Sequence, residues 1–160
     1  GLANQFASGR IANNPDGAAD ADRMSAAVAD RIENRRGQFV QRRKDLEAKI
    51  APLQTAADQA KAAHDAASSV VKDTGTRLAQ QQALCTAAPA GGNCEAATAL
   101  TQLLAAQTQA METAAKARDE TQAAVVVNRA ALESLPREAI DAVRTLLADH
   151  QRAIAALQES

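Results

Sequence analysis

Between residues 24 and 78, apolar side chains recur three and four residues apart, the spacing of one helix face. Two interleaved series with a period of seven describe the pattern. The first contains Ile32, Phe39, Leu46, Leu53, Ala60 and Ala67. The second contains Arg36, Arg43, Ile50, Ala57, His64, Val71 and Leu78. Such series form the inward a and d positions of a coiled coil, here called the seam. Two arginines and one histidine are its polar members.

The second half of the chain repeats the pattern. One series contains Leu104, Met111, Arg118, Val125, Leu132, Ala139 and Leu146. The other contains Leu100, Gln107, Ala114, Thr121, Asn128 and Leu135. After Pro136 the apolar positions move by about one residue, to Ile140, Val143, Leu147, His150, Ile154 and Leu157. A kink or a stutter is expected there.

The strongest turn pattern lies between the halves, at residues 86–93, where proline and two glycines occur together. If the chain reverses there, opposite residues have numbers that add up to about 179, as those of Cys85 and Cys94 do. The large side chains then meet in pairs: Leu53 with Val126, Leu46 with Leu132, Phe39 with Ile140, Ile32 with Leu147 and Met24 with Ile154. The sequence therefore predicts an all-α fold, a long antiparallel coiled-coil helical hairpin.

The expected boundaries are a short N-terminal segment with a turn at residues 1–17, a helix at 18–84, a tip loop at 85–94 and a second helix at 95–158. Leu2, Phe6 and Ile11 would face inward in the first segment. At 1.5 Å per residue the helices would form a rod of about 90 Å. Kinks are expected near Pro52 and Pro136, and breaks there would instead give a compact four-helix bundle.

Composition favours long helices over a globular core. Of 74 apolar residues, 42 are alanine, the best helix former, and the only aromatic residues are Phe6 and Phe39.

A net charge of −1 gives no general attraction to nucleic acid. The sequence contains no apolar run of the length that a membrane span needs, and its start does not resemble a signal peptide. We interpret the chain as an excised soluble part of a membrane protein.

Cys85 and Cys94 flank the predicted turn, where two reversed helices are close neighbours. A disulfide there would stabilise the fold by roughly 2–3 kcal/mol and would indicate an extracytoplasmic compartment, periplasmic or cell-surface. The alternatives are two free thiols, or a zinc site that would need two further ligands. No histidine is near in sequence to supply them.

The sequence favours a protein that is not an enzyme. His64 and His150 would lie about 50 Å apart in the hairpin, so they cannot share a site. No serine has a nearby histidine and acid by spacing, and the glycines form no phosphate-binding loop. We expect no metal, no cofactor and no small-molecule substrate.

Two surfaces have unusual charge. Residues 31–49 hold four more positive than negative side chains, which would suit anionic lipid or ion pairs with Glu133, Glu138 and Asp141. From residue 78 to residue 111, Glu95 is the only ionisable side chain besides the cysteines. We predict a partner-binding tip. Its residues are Gln81, Thr86, Pro89, Asn93 and Gln102.

The layout is similar in general terms to extracytoplasmic helical hairpins of bacterial membrane proteins and of secretion or efflux assemblies. This similarity concerns architecture alone. It implies a structural or interaction module that acts as a spacer and engages a protein partner. The alternative is the dimeric helical-bundle sensor domain of a transmembrane receptor. Either role involves a further helix, from a second copy or from the parent protein, against Val70, Val125, Val127, Leu103 and Leu146.

Overall fold

The computed structural model describes residues 15–159. Helix α1 comprises Pro15–Ala87 and helix α2 comprises Asn93–Glu159, and this part of the chain contains no strand. The predicted all-α hairpin is confirmed. The alternative of four shorter helices is wrong, because each helix is continuous. The predicted inward positions Leu2, Phe6 and Ile11 lie outside the described residues.

The observed helix boundaries differ from the predicted ones at both ends of α1 and at the start of α2. Helix α1 starts at Pro15 rather than at residue 18, since a proline at the first helical position has a suitable φ and needs no hydrogen-bond acceptor. It continues through both Cys85 and Thr86, and α2 begins at Asn93. The loop is therefore residues 88–92 instead of 85–94.

Two prolines lie inside these helices without interrupting them. Pro52 is part of α1 and Pro136 is part of α2, and both are exposed. Next to them Leu53 is half-buried and Leu135 is only 4% exposed. Burial of these neighbours favours the helical conformation where a backbone hydrogen bond is missing.

The hairpin contains two compact units. The first, here called the terminal unit, comprises the described residues up to 47 and from 130 onward. Its core is formed by Ala21 and Ile154, against which Met24 and Leu157 pack. Met24 was predicted to pair with Ile154, and it packs against the cluster to which Ile154 belongs. An ion pair between Arg42 and Glu138, 3.0 Å apart, also joins the two helices.

The second unit, the tip unit, comprises residues 48–129 and includes the turn. Four apolar side chains are buried in it: Ala57, Leu78, Ala97 and Val125. Polar side-chain contacts also join its helices. Arg129 donates to Gln54 at 2.7 Å, and a nitrogen of Arg118 lies 3.0 Å from Nδ1 of His64. Residue numbers rise along α1 as they fall along α2, so the helices are antiparallel in this unit.

The structure corrects the predicted seam at several positions. Val125 is fully buried and Val126 is 55% exposed, so the residue that packs inward is the one in the heptad series and not the predicted partner of Leu53. Because Val125 is buried, it is also not available for contact with a further helix. Beyond Pro136, Ile140 and Leu147 are more than 40% exposed. Ala139 and Leu146, one position earlier, are half-buried, so the first register continues past the proline. The other four positions of the shifted pattern are buried or half-buried as predicted: Val143, His150, Ile154 and Leu157.

Candidate functional site

The turn that joins α1 to α2 is five residues long and closes through its own backbone. The amide of Ala88 donates to the carbonyl of Leu84, and the amide of Gly91 donates to that of Ala88. Gly92 has a φ of 74°, a left-handed conformation that side chains with a Cβ disfavour. Its carbonyl accepts from the amide of Ala96 in the first turn of α2. Glycine at this position therefore permits the reversal.

The cysteines lie directly behind the turn, one in the last turn of α1 and one in the first turn of α2. Their sulfurs are at bonding distance, and the Cα atoms are 4.6 Å apart, within the usual range for a disulfide. Because the cysteines are only nine positions apart in the sequence, the bond closes a short loop. Such a bond limits the separation of the helix ends in the folded and unfolded chain alike.

A second link across the tip is made by Gln81 and Asn93. The side-chain amide of Gln81 donates to Oδ1 of Asn93 at 2.9 Å and to its carbonyl at 3.2 Å. The Asn93 amide in turn donates to the carbonyl of Ala88 at 3.5 Å. Both residues were predicted to bind a partner, but here they connect the end of α1, the turn and the start of α2. The hydrogen bonds of Gln81 and Asn93 therefore make the tip more rigid.

The other three predicted tip residues are exposed. Pro89 lies in the turn, and Gln102 is on the surface of α2. The Thr86 hydroxyl donates to the carbonyl of Gln82 one turn earlier, so its methyl group is the free part of the side chain. Two apolar residues of the tip are exposed as well, of which Leu103 was expected to contact a further helix and Leu84 was not singled out from the sequence. Leu84 is 52% exposed and Leu103 is 43% exposed. Both leucines lie outside the two heptad series, and this position in the pattern predicts an exposed side chain.

The two histidines lie in different units. In the tip unit His64 contacts Arg118, and its Nδ1 lies 3.6 Å from a carboxylate oxygen of Asp65. In the terminal unit His150 is 7% exposed, and its Nε2 lies 3.4 Å from the hydroxyl of Ser25. From sequence spacing, no serine was expected to have both a histidine and an acid nearby, and Ser25 meets His150 across the two helices. No carboxylate of residues 17–159 lies within 4 Å of His150 to orient it, and the pair is an interhelical polar contact.

Two further properties of residues 15–159 concern ligands and membranes. No group of three or more His, Cys, Asp or Glu side chains is placed so that it can hold a metal ion. Neither α1 nor α2 includes a segment that is long and apolar enough to cross a bilayer.

An open groove in the terminal unit results from arginines at seam positions. Arg36 and Arg43 were predicted to point inward, but their side chains are 71% and 69% exposed and pair with Glu33 and Glu47 on α1 itself. A guanidinium between two apolar helices would lose its hydration without a partner, which explains the outward orientation. Between Ile32 and Leu46, Phe39 is the only half-buried residue of α1. The helices therefore leave a groove of about 750 Å³ between them.

Comparisons with protein families, with curated proteins and with solved structures find no match for this chain.

Proposed function

We propose that this chain is a non-enzymatic, extracytoplasmic coiled-coil module of a membrane-associated, secretion or envelope assembly. In this role its helices act as a spacer, and its tip unit binds a partner protein. The observation that carries the proposal is the combination of a doubly linked turn with exposed apolar side chains at Leu84 and Leu103.

The rigidity of the tip supports a binding role. A partner that binds a loop must order it, and each side chain that loses its freedom costs about 0.5–1.5 kcal/mol. In this tip the disulfide and the Gln81–Asn93 hydrogen bonds already restrict the loop. Less conformational entropy is therefore lost on binding.

The surface chemistry around the turn also supports contact with protein. Charged residues are depleted at the centre of protein interfaces, and from residue 78 to residue 111 the tip carries one ionisable side chain besides the cysteines, Glu95. The leucines supply apolar area, each worth about 1.5–3 kcal/mol when fully buried. The cysteine pair agrees with an oxidising, extracytoplasmic compartment, where disulfides persist.

The experiment is quantitative capture from an extract of the cells that produce the protein. The immobilised chain is compared with the variant L84Q/L103Q and with V126Q/V127Q, which changes two exposed valines elsewhere in the tip unit. We expect one defined protein to be retained by the unchanged chain and by V126Q/V127Q, and to be lost with L84Q/L103Q. Equal retention by all three chains would contradict the proposal.

A further inference from the structure

The groove of the terminal unit is a second candidate binding site, apart from the tip. It lies between residues 32–47 of α1 and residues 132–144 of α2, and its walls are mainly apolar. Val40 and Ile140 line it and are 45% and 53% exposed. Phe39, the only aromatic residue among those described, lies half-buried in its wall. Burial of the exposed apolar area of these side chains by a ligand would favour binding.

The dimensions of the groove fit a helix. The α1 wall from Ile32 to Glu47 is about 22 Å long at 1.5 Å per residue, equal to about four helical turns. An amphipathic helix that binds such a groove uses apolar side chains at i, i+3 or i+4, and i+7. Leu132 and Val143 on the α2 wall, with Phe39 and Val40 opposite, provide apolar surface along the groove for these anchors.

The charged side chains that line the groove indicate which charge a bound helix would carry on either side of its apolar face. Four arginines line it, against one carboxylate, that of Glu47. No carboxylate of residues 17–159 lies within 4 Å of the Arg35 guanidinium, which hydrogen-bonds to Gln38. Arg36, Arg43 and Arg144 pair with acids on their own helices, but exposed ion pairs of this kind are weak. Carboxylates of a ligand can therefore replace them.

We propose that this groove binds an acidic amphipathic helix of a partner protein, with apolar side chains toward Phe39 and Ile140 and with Asp or Glu residues beside the arginines. A second copy that presents the same groove would bring two positively charged surfaces together, which is unfavourable. The segment formed by residues 1–14 offers no carboxylate side chain, since Arg10 is its only ionisable side chain.

The test uses two synthetic 16-residue peptides with leucine at i, i+3 and i+7. One has glutamate at the flanking positions and the other has lysine there. Fluorescence anisotropy with the full chain should show that the glutamate peptide binds at least about tenfold more tightly, and that its affinity falls as salt is raised. Equal affinity for both peptides, or binding of neither, would overturn the proposal.

Two variants locate the site. Ile140→Gln should weaken binding of the glutamate peptide about tenfold, because it removes one apolar contact from the groove. Val127→Gln changes a valine that is 67% exposed in the tip unit and should leave binding unchanged. Circular dichroism verifies that both variants are folded. If sedimentation instead shows a dimer that I140Q dissociates, the groove is occupied by a second copy and the acidic-helix proposal is wrong.

Discussion

The hydroxyl of Ser25 lies 3.4 Å from Nε2 of His150, so a polar contact joins α1 to α2 beside the apolar core of Ala21 and Ile154. A buried polar group that loses its partner keeps the cost of desolvation, whereas replacing both partners with apolar groups can be nearly neutral. This contact therefore allows a test in which a double variant is more stable than one of its single variants.

We predict that Ser25→Ala lowers the free energy of unfolding by about 1 kcal/mol, because His150 remains buried with one partner fewer. The double variant S25A/H150L should recover part of that loss. Urea unfolding followed by circular dichroism measures both. A double variant less stable than S25A alone would show that the imidazole stabilises the core through contacts other than this one.

The same chemical change at two glycines should have opposite effects. Gly37 is within α1, where an added Cβ meets no atom within 4 Å, so Gly37→Ala should raise the free energy of unfolding by about 0.5–1 kcal/mol. A Cβ at Gly92 also meets no atom, but its φ of 74° is unfavourable for alanine. Gly92→Ala should therefore lower the free energy by about 1 kcal/mol. Thermal unfolding of the two variants compares them directly.

Removal of the cysteine link should destabilise the hairpin even though the loop is short. For C85S/C94S we expect a loss of about 2–3 kcal/mol in the free energy of unfolding. Dithiothreitol should produce a similar loss in the unchanged protein and no further loss in the variant. Thiol titration of unreduced protein from an oxidising compartment should find no free thiol, and two reactive thiols there would contradict the predicted bond.

Gln107 occupies a seam position in the tip unit, and its Oε1 is buried with no hydrogen-bond partner among the described residues. Gln107→Leu should raise the free energy of unfolding by about 1 kcal/mol, because it removes an unsatisfied acceptor and adds apolar surface. Gln102→Leu, at an exposed position of the same helix, is the control and should change stability by less than about 0.5 kcal/mol. Equal effects at both positions would argue against burial as the cause.

Much of the fold was predictable because heptad spacing and turn chemistry are local properties of sequence. The period of seven placed Leu78, Val125 and Leu135 on inward faces, where they are buried. Proline and glycine at residues 89–92 located the reversal. The choice between Val125 and Val126 for the partner of Leu53 was not local, since two adjacent valines are equally apolar and only packing distinguishes them.

The candidate sites were less predictable. Gln81 and Asn93 were correctly placed at the tip, but their side chains bond to each other, which depends on the geometry of a five-residue turn. The groove was missed because Arg36 and Arg43 were assigned to the seam by spacing alone. Long arginine side chains can leave such a position and pair on the surface, and this leaves an opening beside Phe39.

The antiparallel arrangement also determines the order in which contacts can form from the unfolded chain. The difference in residue number between contacting partners increases away from the turn: it is 9 for the two cysteines, 54 for His64 and Arg118, 96 for Arg42 and Glu138, and 125 for Ser25 and His150. Since longer loops cost more entropy to close, we expect pairing to begin at the turn and to reach the chain ends last. Helix ends near residues 15 and 159 should then exchange their amide hydrogens faster than the hydrogen-bonded amides of α1 that precede Cys85.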